Sequence, residues 1–454
     1  MLWRTSIAGS LLVAAIASGD VLGQTPLGPA PSEFTPHASQ LRARTASVRF
    51  IEPESIAPPQ PMLEPLELEL LQQQAITSNP SVARAEALVQ AACGRMLQAG
   101  LKPNPHAGYL GSQLGSGGQA EQHGLMVTQD IIRGGKLRLS QSVMQQEWVM
   151  AQQRLAAQQQ RVMTDVRVKY YEVLIAQQRL NRTNDLSRLA SDALKTVNQL
   201  FEAKEAAKVD ILQAKLEAQQ TELSLIAARN RLAAAWRELT AVCNLPLDES
   251  RPIVGRPDEV LPLVSFEETK ARLLSTSPEV AEAMANIERA RWAVARAEAE
   301  PIGDLNVQGV VMQDNGIGGK TDGIVQVTMP LPIYNRNQGG ILAAQRELTA
   351  ATYALEQLEV RLSQQLAGVY ERYSTARESV DRYQKDLLPA AAESLDLSRA
   401  GYGAGEFSFL SLLTAQRTLV QTNLAYLESL QELQTAAAEI DGLLLSSSLT
   451  QDLQ

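Results

Sequence analysis

The sequence predicts a mostly helical fold with a small β part, built from two copies of one strand–strand–long-helix unit. Three observations carry this reading. Ala, Leu, Gln, Glu and Arg dominate long stretches while aromatic residues make up only 4% of the chain, the composition of extended helices rather than of a compact enzyme core. Residues 136–200 are free of Gly and Pro, and a continuous helix there would reach roughly 95 Å at 1.5 Å per residue. Three landmarks recur in the same order at nearly one offset, the mark of an internal duplication.

The N-terminal segment 1–23 reads as a signal peptide. Arg4 precedes the apolar run Ile7 to Ile16, and small residues follow up to Gly23, with Gly19 and Gly23 both candidates for cleavage. The apolar run is too short to span a bilayer, and no later stretch approaches ~20 uninterrupted apolar residues. Any membrane crossing would therefore have to use strands. Residues 24–65 are rich in Pro, Ser and Thr, as in Pro58-Pro59-Gln60-Pro61, and read as an extended arm.

The first repeat is assigned to 66–265, the second to 266–445, and 446–454 to a tail. The matching helix starts are Asn79-Pro80-Ser81-Val82-Ala83 and Ser277-Pro278-Glu279-Val280-Ala281. The fixed φ of proline suits a first helical turn. Both helices run to another proline, Pro103 and Pro301, 198 residues apart.

Strands come next. Leu305, Val307, Gly309 and Val311 alternate with Asn306 and Gln308, and Val325, Val327 and Met329 alternate with Gln326 and Thr328. Such alternation gives one apolar and one polar face. The first-repeat equivalents are placed at about 106–114 and 124–132. The Gly-rich links 115–118 and 315–319 are turn-like.

A long helical tract follows each strand pair. Leu348, Leu355, Leu362 and Val369 recur every seven residues, as do Leu413, Val420 and Leu427, which predicts coiled-coil seams. Each tract ends at a matching turn: Phe201-Glu202-Ala203-Lys204-Glu205 before Val209-Asp210-Ile211, and Tyr402-Gly403-Ala404-Gly405-Glu406 before Leu410-Ser411-Leu412. The offset here is 201. Gly403 and Gly405 are expected to take φ values that other residues resist, and Ser408 to cap the helix that follows.

Composition excludes several function classes. A net charge of −9 argues against nucleic acid, because phosphate binding needs basic clusters. Gly318-Gly319-Lys320-Thr321 looks like the end of a phosphate loop, but Asp314 stands where a Gly is required and a strand follows, so it reads as a hairpin turn. His106 and His123 flank the first hairpin and could approach each other, yet two imidazoles alone make a poor metal site. Glu298, Glu300 and Asp304 read as a solvated helix end, and Arg133 and Lys136 as an interfacial or turn feature. Cys93 and Cys243 predict neither a disulfide nor a metal site. No cofactor, resident metal or catalytic residue is expected.

The strand count is more telling. Four strands of about ten residues suit a tilted crossing of an outer membrane, but the smallest membrane barrels need about eight. Open edges in lipid are forbidden. Other copies of the chain must therefore complete the strands, or the strands are not in the membrane.

Taken together these residues resemble the TolC family of outer-membrane efflux proteins, most closely its cobalt–zinc–cadmium branch. The string Pro330-Leu331-Pro332-Ile333-Tyr334-Asn335-Arg336-Asn337-Gln338-Gly339 carries the likeness to that branch. Residues 129–136 look like its first-repeat counterpart, and Ala404-Gly405-Glu406-Phe407-Ser408-Phe409-Leu410 looks like the family's helix-tip turn. The resemblance implies a homotrimer whose chains each give four strands to a twelve-stranded membrane β-barrel, continued by a periplasmic α-helical coiled-coil barrel. It implies a passive conduit, with a periplasmic adaptor, an inner-membrane proton-driven transporter and outer-membrane lipid as partners, and metal cations as cargo. A drug or type I secretion channel is one alternative; a soluble periplasmic coiled-coil scaffold is another. Lys204, Glu205, Asp210, Tyr402, Gly403, Gly405, Glu406 and Ser408 would form the periplasmic mouth, where the adaptor docks and the pore opens. The sequence departs from the family at two points. No Cys precedes Cys93, so no lipid anchor is expected, and Ser411 and Thr414 stand where some relatives carry a cation-binding acidic ring.

Overall fold

The computed structural model describes residues 66–114, 120–204, 206–244, 246, 253–258, 265–316 and 318–449. The expected signal peptide, the Pro-rich arm, Glu205 and residues 450–454 lie outside them.

Helix α1 (Leu68–Ser78) and helix α2 (Pro80–Ala99) come first. Between them the Asn79 side chain accepts from the Ser81 amide at 2.9 Å, and Pro80 occupies a position that needs no N–H. The hairpin β1 (His106–Leu114) and β2 (Ala120–Ile131) follows. Gly134 and Gly135, at φ +66° and +67°, then swing the chain into α3 (Lys136–Glu202). This helix has 67 residues, and so runs about 100 Å. Helix α4 (Lys208–Cys243) returns beside it.

The same order then repeats as α5 (Phe266–Thr276), α6 (Pro278–Ala299), β3 (Leu305–Asp314), β4 (Lys320–Thr328) and α7 (Gln338–Arg382). A π-helical turn, Tyr383–Leu387, leads into α8 (Leu388–Gly403), and α9 (Phe409–Asp441) returns. Each repeat thus has a helix, α1 or α5, ahead of the proline start read from the sequence. Val162 and Leu362, Val166 and Leu366, and Ala176 and Ala376 are buried equivalents 200 residues apart. Beyond the π-helical turn the offset is 201, as in Phe201 and Tyr402. A turn closed by i→i+5 bonds takes in one more residue than an α-turn, which is the one that α7–α8 has gained.

Two large apolar clusters hold the helices. One joins Leu71 of α1, Val162, Val166, Tyr170 and Val173 of α3, and Trp236, Leu239 and Cys243 of α4. The other joins Leu273, Val280, Leu358, Leu362 and Leu366 with Leu427, Leu430 and Leu433 of α9, and takes in Ile175 of α3, so the repeats share core. Along α7 the buried residues are Ala344, Ala351, Leu358, Leu362, Leu366, Val369, Tyr373, Ala376 and Val380, with Leu348 and Leu355 half-buried between them. Steps of four and three alternate except at Leu358-Leu362-Leu366. Two successive steps of four there make a stutter, which relaxes the supercoil.

The four strands form one antiparallel sheet in the order β1-β2-β3-β4. Thr128 sits opposite His106, Val127 opposite Gly309, and Val327 opposite Val307. Among the described residues the outer edges of β1 and β4 pair with nothing. The register corrects two expectations. β2 begins at Ala120 rather than near 124. His106 and His123 do not approach, because His123 lies opposite Gly111, near the other end of the hairpin. Gly318 and Gly319, at φ +84° and +76°, close the β3–β4 hairpin, with the Gly319 amide on the Asp314 carbonyl at 2.8 Å.

Candidate functional site: strand faces and helix tips

Even spacing along paired strands puts Tyr109, Leu125, Val127, Val311, Val325 and Val327 on one face of the sheet. All six are exposed, Val325 at 81%. An apolar face of this extent is unusual on a protein in water. On the same face the Tyr109 hydroxyl and His123 Nδ1 are hydrogen-bonded at 2.5 Å.

The opposite face is polar at the end nearer the helices, where Asn306 donates to Asp130 at 2.7 Å and Thr128, Gln308 and Gln326 line up. It is polar again at the far end, where Ser112, Gln122 and Asp314 form a chain of hydrogen bonds at 2.8 and 2.7 Å. Between these rows lie Met126, Val310 and Met312, the last two buried. Strict apolar–polar alternation therefore fails midway. The cause is local: Gly108 and Gly124 have no side chains and leave room for Met126 and Met312.

Where strands meet helices, Asp304 accepts from the Arg133 amide at 2.9 Å and from the buried Lys136 ammonium at 3.1 Å. Two residues read from sequence as part of a solvated helix end and of an interfacial or turn feature thus form one ion pair between the repeats. Partial burial acts to raise the Asp304 pKa, but the Arg133 amide and Lys136 outweigh it and the pKa falls below its ordinary 3.8. A carboxyl lowered on folding stabilises fully above that ordinary value, and the contribution is lost as the pH drops through the lowered one.

The segment Pro330–Gly339 has no regular structure before α7 begins at Gln338. Pro330, Pro332, Arg336 and Gly339 are exposed. Asn335 accepts from the Asn337 amide at 3.0 Å, and Asn337, left-handed at φ +56°, donates to the Ala297 carbonyl at 2.8 Å.

The helix tips lie at the other end of α3 and α8. In the first, Lys204 takes a left-handed backbone, φ +64°, and the Asp210 carboxylate accepts the Ala207 amide at 3.0 Å at the start of α4. An acid in a first helical turn also faces the positive end of the helix dipole. In the second, the left-handed residue is Gly405, φ +77°. Its amide bonds the Tyr402 carbonyl at 3.1 Å, and the Glu406 amide reaches the Gly401 carbonyl at 2.8 Å. This is a Schellman closure. Gly403 has ordinary helical backbone as the last residue of α8, so the special φ expected of both glycines belongs to Gly405 alone. Ser408 caps α9 by accepting from the Ser411 amide at 3.3 Å. Ser411 and Thr414 bond within their own helix, Thr414 to the Leu410 carbonyl at 2.8 Å.

The two tips pack together through Val197, Ile211 and Ala214 of the first and Tyr402, Phe409 and Leu413 of the second. Burial raises the Tyr402 pKa, and the Asp210 charge raises it further, so these two expected residues share one site. Sequence reading missed Gly401, on which the Phe407 ring sits. It also missed the Arg417–Glu217 ion pair at 2.6 Å that ties α9 to α4. A glycine four residues ahead of the αL glycine, with an aromatic residue just after, was the available signal for the first. No sequence signal marked the second.

Comparison with known proteins decides the family. The model for "Outer membrane efflux protein" matches the chain twice, over residues 71–245 and 271–444. The chain belongs to this family. It is therefore an outer-membrane efflux channel protein and not an enzyme. Among individual relatives, the cobalt-zinc-cadmium resistance protein CzcC of Cupriavidus metallidurans is 26% identical over 421 residues, 92% of this chain and 98% of CzcC. A membrane protein from Pseudomonas aeruginosa has the same fold, with a TM-score of 0.72 at 18% identity, covering 83% of this chain and 92% of that one. So has VceC from Vibrio cholerae, with a TM-score of 0.69 at 17% identity over 84% of this chain and 96% of that one.

Proposed function

We propose that three copies of this efflux protein, exported through segment 1–23, close a twelve-stranded barrel in the outer membrane. Its lumen would continue between the long helices as a passive conduit. The observation that carries the reading is a four-stranded sheet with two edges unpaired among the described residues and one exposed apolar face. Edges must be closed in lipid. Two copies would give eight strands, about the size at which side chains fill the interior, whereas three leave a lumen. The apolar face carrying Val325 and Val327 then meets lipid, and the face carrying Gln326 and Thr328 meets water. Energy comes from an inner-membrane proton-driven transporter through a periplasmic adaptor; the conduit makes and breaks no bonds. The cargo is metal cations. The likeness to CzcC and the Pro330–Gly339 string favour them over drugs or secreted protein. The tips at Lys204, Glu205, Asp210, Tyr402, Gly403, Gly405, Glu406 and Ser408 form the periplasmic mouth, where the adaptor docks and the pore opens. Helices of about 100 Å carry them that far from the strands.

The protein mass of the particle purified in mild detergent tests the ring, and a folded monomer soluble without detergent overturns it. Val327→Arg should cost about 2–4 kcal/mol and block barrel assembly, while Gln326→Arg costs little. Equal tolerance of both refutes the membrane assignment of the faces.

A further inference from the structure

At the helix end of the sheet, each strand exit is braced on the loop before its partner strand. Gln129, near the end of β2, donates to the Pro103 carbonyl at 3.0 Å. Pro330, just after β4, lies against Gly303. The β2 exit is braced a second time, on the next hairpin: Arg133 and Lys136 hold Asp304, and Gly134 lies against Ile302. Among the described residues no further hairpin follows the β4 exit. Residues 330–336 are exposed throughout, Tyr334 at 91% and Leu331 at 68%. The Arg336 guanidinium makes no hydrogen bond or ion pair among the described residues. The strand also stops short. Thr128 and Thr328 hold the same place, opposite His106 and Asn306, yet β2 stays paired to Ile131 and β4 ends at Thr328.

We propose that Pro330–Arg336 is an inter-subunit clasp, seated on the Leu101–Pro105 loop of the next copy of this chain. It repeats between copies the brace that Arg133–Lys136 makes on Ile302–Asp304 within one. The inference rests on the ring reading above and names the surface that closes it. The matched pairs His106–Thr128 and Asn306–Thr328 fix a correspondence of 200 residues between the hairpins. Carried to the loop, Asp304 becomes Asn104 and Ile302 becomes Lys102. The exit from β4 is two residues longer than that from β2, since left-handed Gly135 opens α3 at Lys136 and left-handed Asn337 opens α7 at Gln338; Tyr334 and Arg336 fall within this longer link, and Arg336 is its one cation. The Asn104 side-chain oxygen then accepts from the Arg336 guanidinium. The Tyr334 ring meets the Lys102 ammonium, an attraction of cation and ring face. The occupant is a second copy rather than lipid, because only the duplication supplies a matching loop, and in the single chain that loop is exposed at Leu101, Lys102 and Asn104.

The same correspondence extends to the strands. The β2–β3 pairing Val127↔Gly309, carried through the same correspondence, places Val327 opposite Tyr109 of the next copy and Gln326 opposite Leu110. Val327 and Tyr109 both lie on the apolar face, and Gln326 and Leu110 both lie on the other. A shift by one residue would set every pair on opposite faces. The clasp between copies also differs in kind from the brace within one: a neutral amide replaces the Asp304 carboxylate, so the boundary contact is the weaker.

Asn104→Asp restores the ion pair at the boundary and tests the clasp. The oligomer should resist SDS to a higher temperature than the unaltered protein, and the gain should vanish when Arg336→Ala is added. No gain, or a gain indifferent to Arg336, overturns the clasp. The ring is read separately by Val327→Cys with Tyr109→Cys in a chain carrying Cys93→Ala and Cys243→Ala. An inter-subunit disulfide supports ring and register. A trimer without it overturns the register, and the absence of any oligomer overturns the ring itself.

Discussion

At the first tip the chain leaves α3 with a lysine forced into the left-handed region and enters α4 under a carboxylate cap. At the second it leaves α8 through a glycine in that same region, with an aromatic ring seated on another glycine, and enters α9 under a serine cap. The left-handed lysine costs about 1–2 kcal/mol that a glycine does not. The carboxylate cap weakens with salt, as charge–dipole attractions do, whereas ring-on-backbone packing does not. One duplicated hairpin has thus acquired a soft, charge-held end and a firm, packing-held end, side by side in one cluster.

The sharpest way to break this contrast is Gly401→Val. Its side chain would enter the space of the Phe407 ring, and overpacking of this kind costs roughly 1–3 kcal/mol. The Glu406 and Phe407 amides, both bonded to the Gly401 carbonyl, should lose protection in hydrogen exchange; unchanged protection would show that the second tip does not depend on that packing. Next comes Gly405→Val, which places a β-branched residue at φ +77° for about 1–2 kcal/mol. The oligomer should persist in the outer membrane while efflux and adaptor cross-linking are lost. Normal efflux, or loss of the oligomer, would leave Gly405 with no role or with a folding role alone.

A smaller effect is expected at the soft tip. Asp210→Asn weakens the cap and removes its charge, for about 0.5–1 kcal/mol. Exchange protection at the start of α4 should then lose its salt dependence. The Tyr402 pKa should fall, since the charge that adds to its burial is gone, and an NMR titration of that ring reads the shift. A Tyr402 pKa that stays put would separate the two tips electrically. Least of all, Gly403→Ala has helical backbone and open space around its Cβ, and should gain about 0.5 kcal/mol or less in thermal melts. A loss would mean that the missing side chain at 403 serves something other than the turn.

How far the sequence discloses these features follows from the range of the forces involved. Helix starts at Pro80 and Pro278, the alternation in β3, the turn at Gly318-Gly319 and the αL glycine at 405 depend on neighbours in sequence, and all were legible. The Lys136–Asp304 pair, the Arg417–Glu217 pair and the seat of Phe407 on Gly401 depend on what the fold brings together. The first two join residues 168 and 200 positions apart. Periodicity in α7 was read as a plain heptad because Leu348, Leu355, Leu362 and Val369 happen to fall seven apart. The buried set also includes the small residues Ala344, Ala351 and Ala376, which carry little hydrophobic signal, and the stutter at Leu358-Leu362-Leu366 broke the simple count. Mixed polarity on the face opposite Val325 and Val327 was hidden by glycines, whose effect is to make space for a neighbour.

The two unpaired strand edges have a genetic consequence. In the proposed ring every copy offers one β1 edge and takes one β4 edge, a head-to-tail arrangement rather than a mutual one. A chain damaged only along β4 still presents a sound β1, so it is accepted into a ring that it cannot close. Expressed in equal amount with intact chains, it would leave only about one ring in eight wholly intact if three copies mix at random around a closed cycle. Lesions along that edge should therefore be dominant, whereas lesions in the helix cores, which stop a chain from folding before it meets its neighbours, should be recessive.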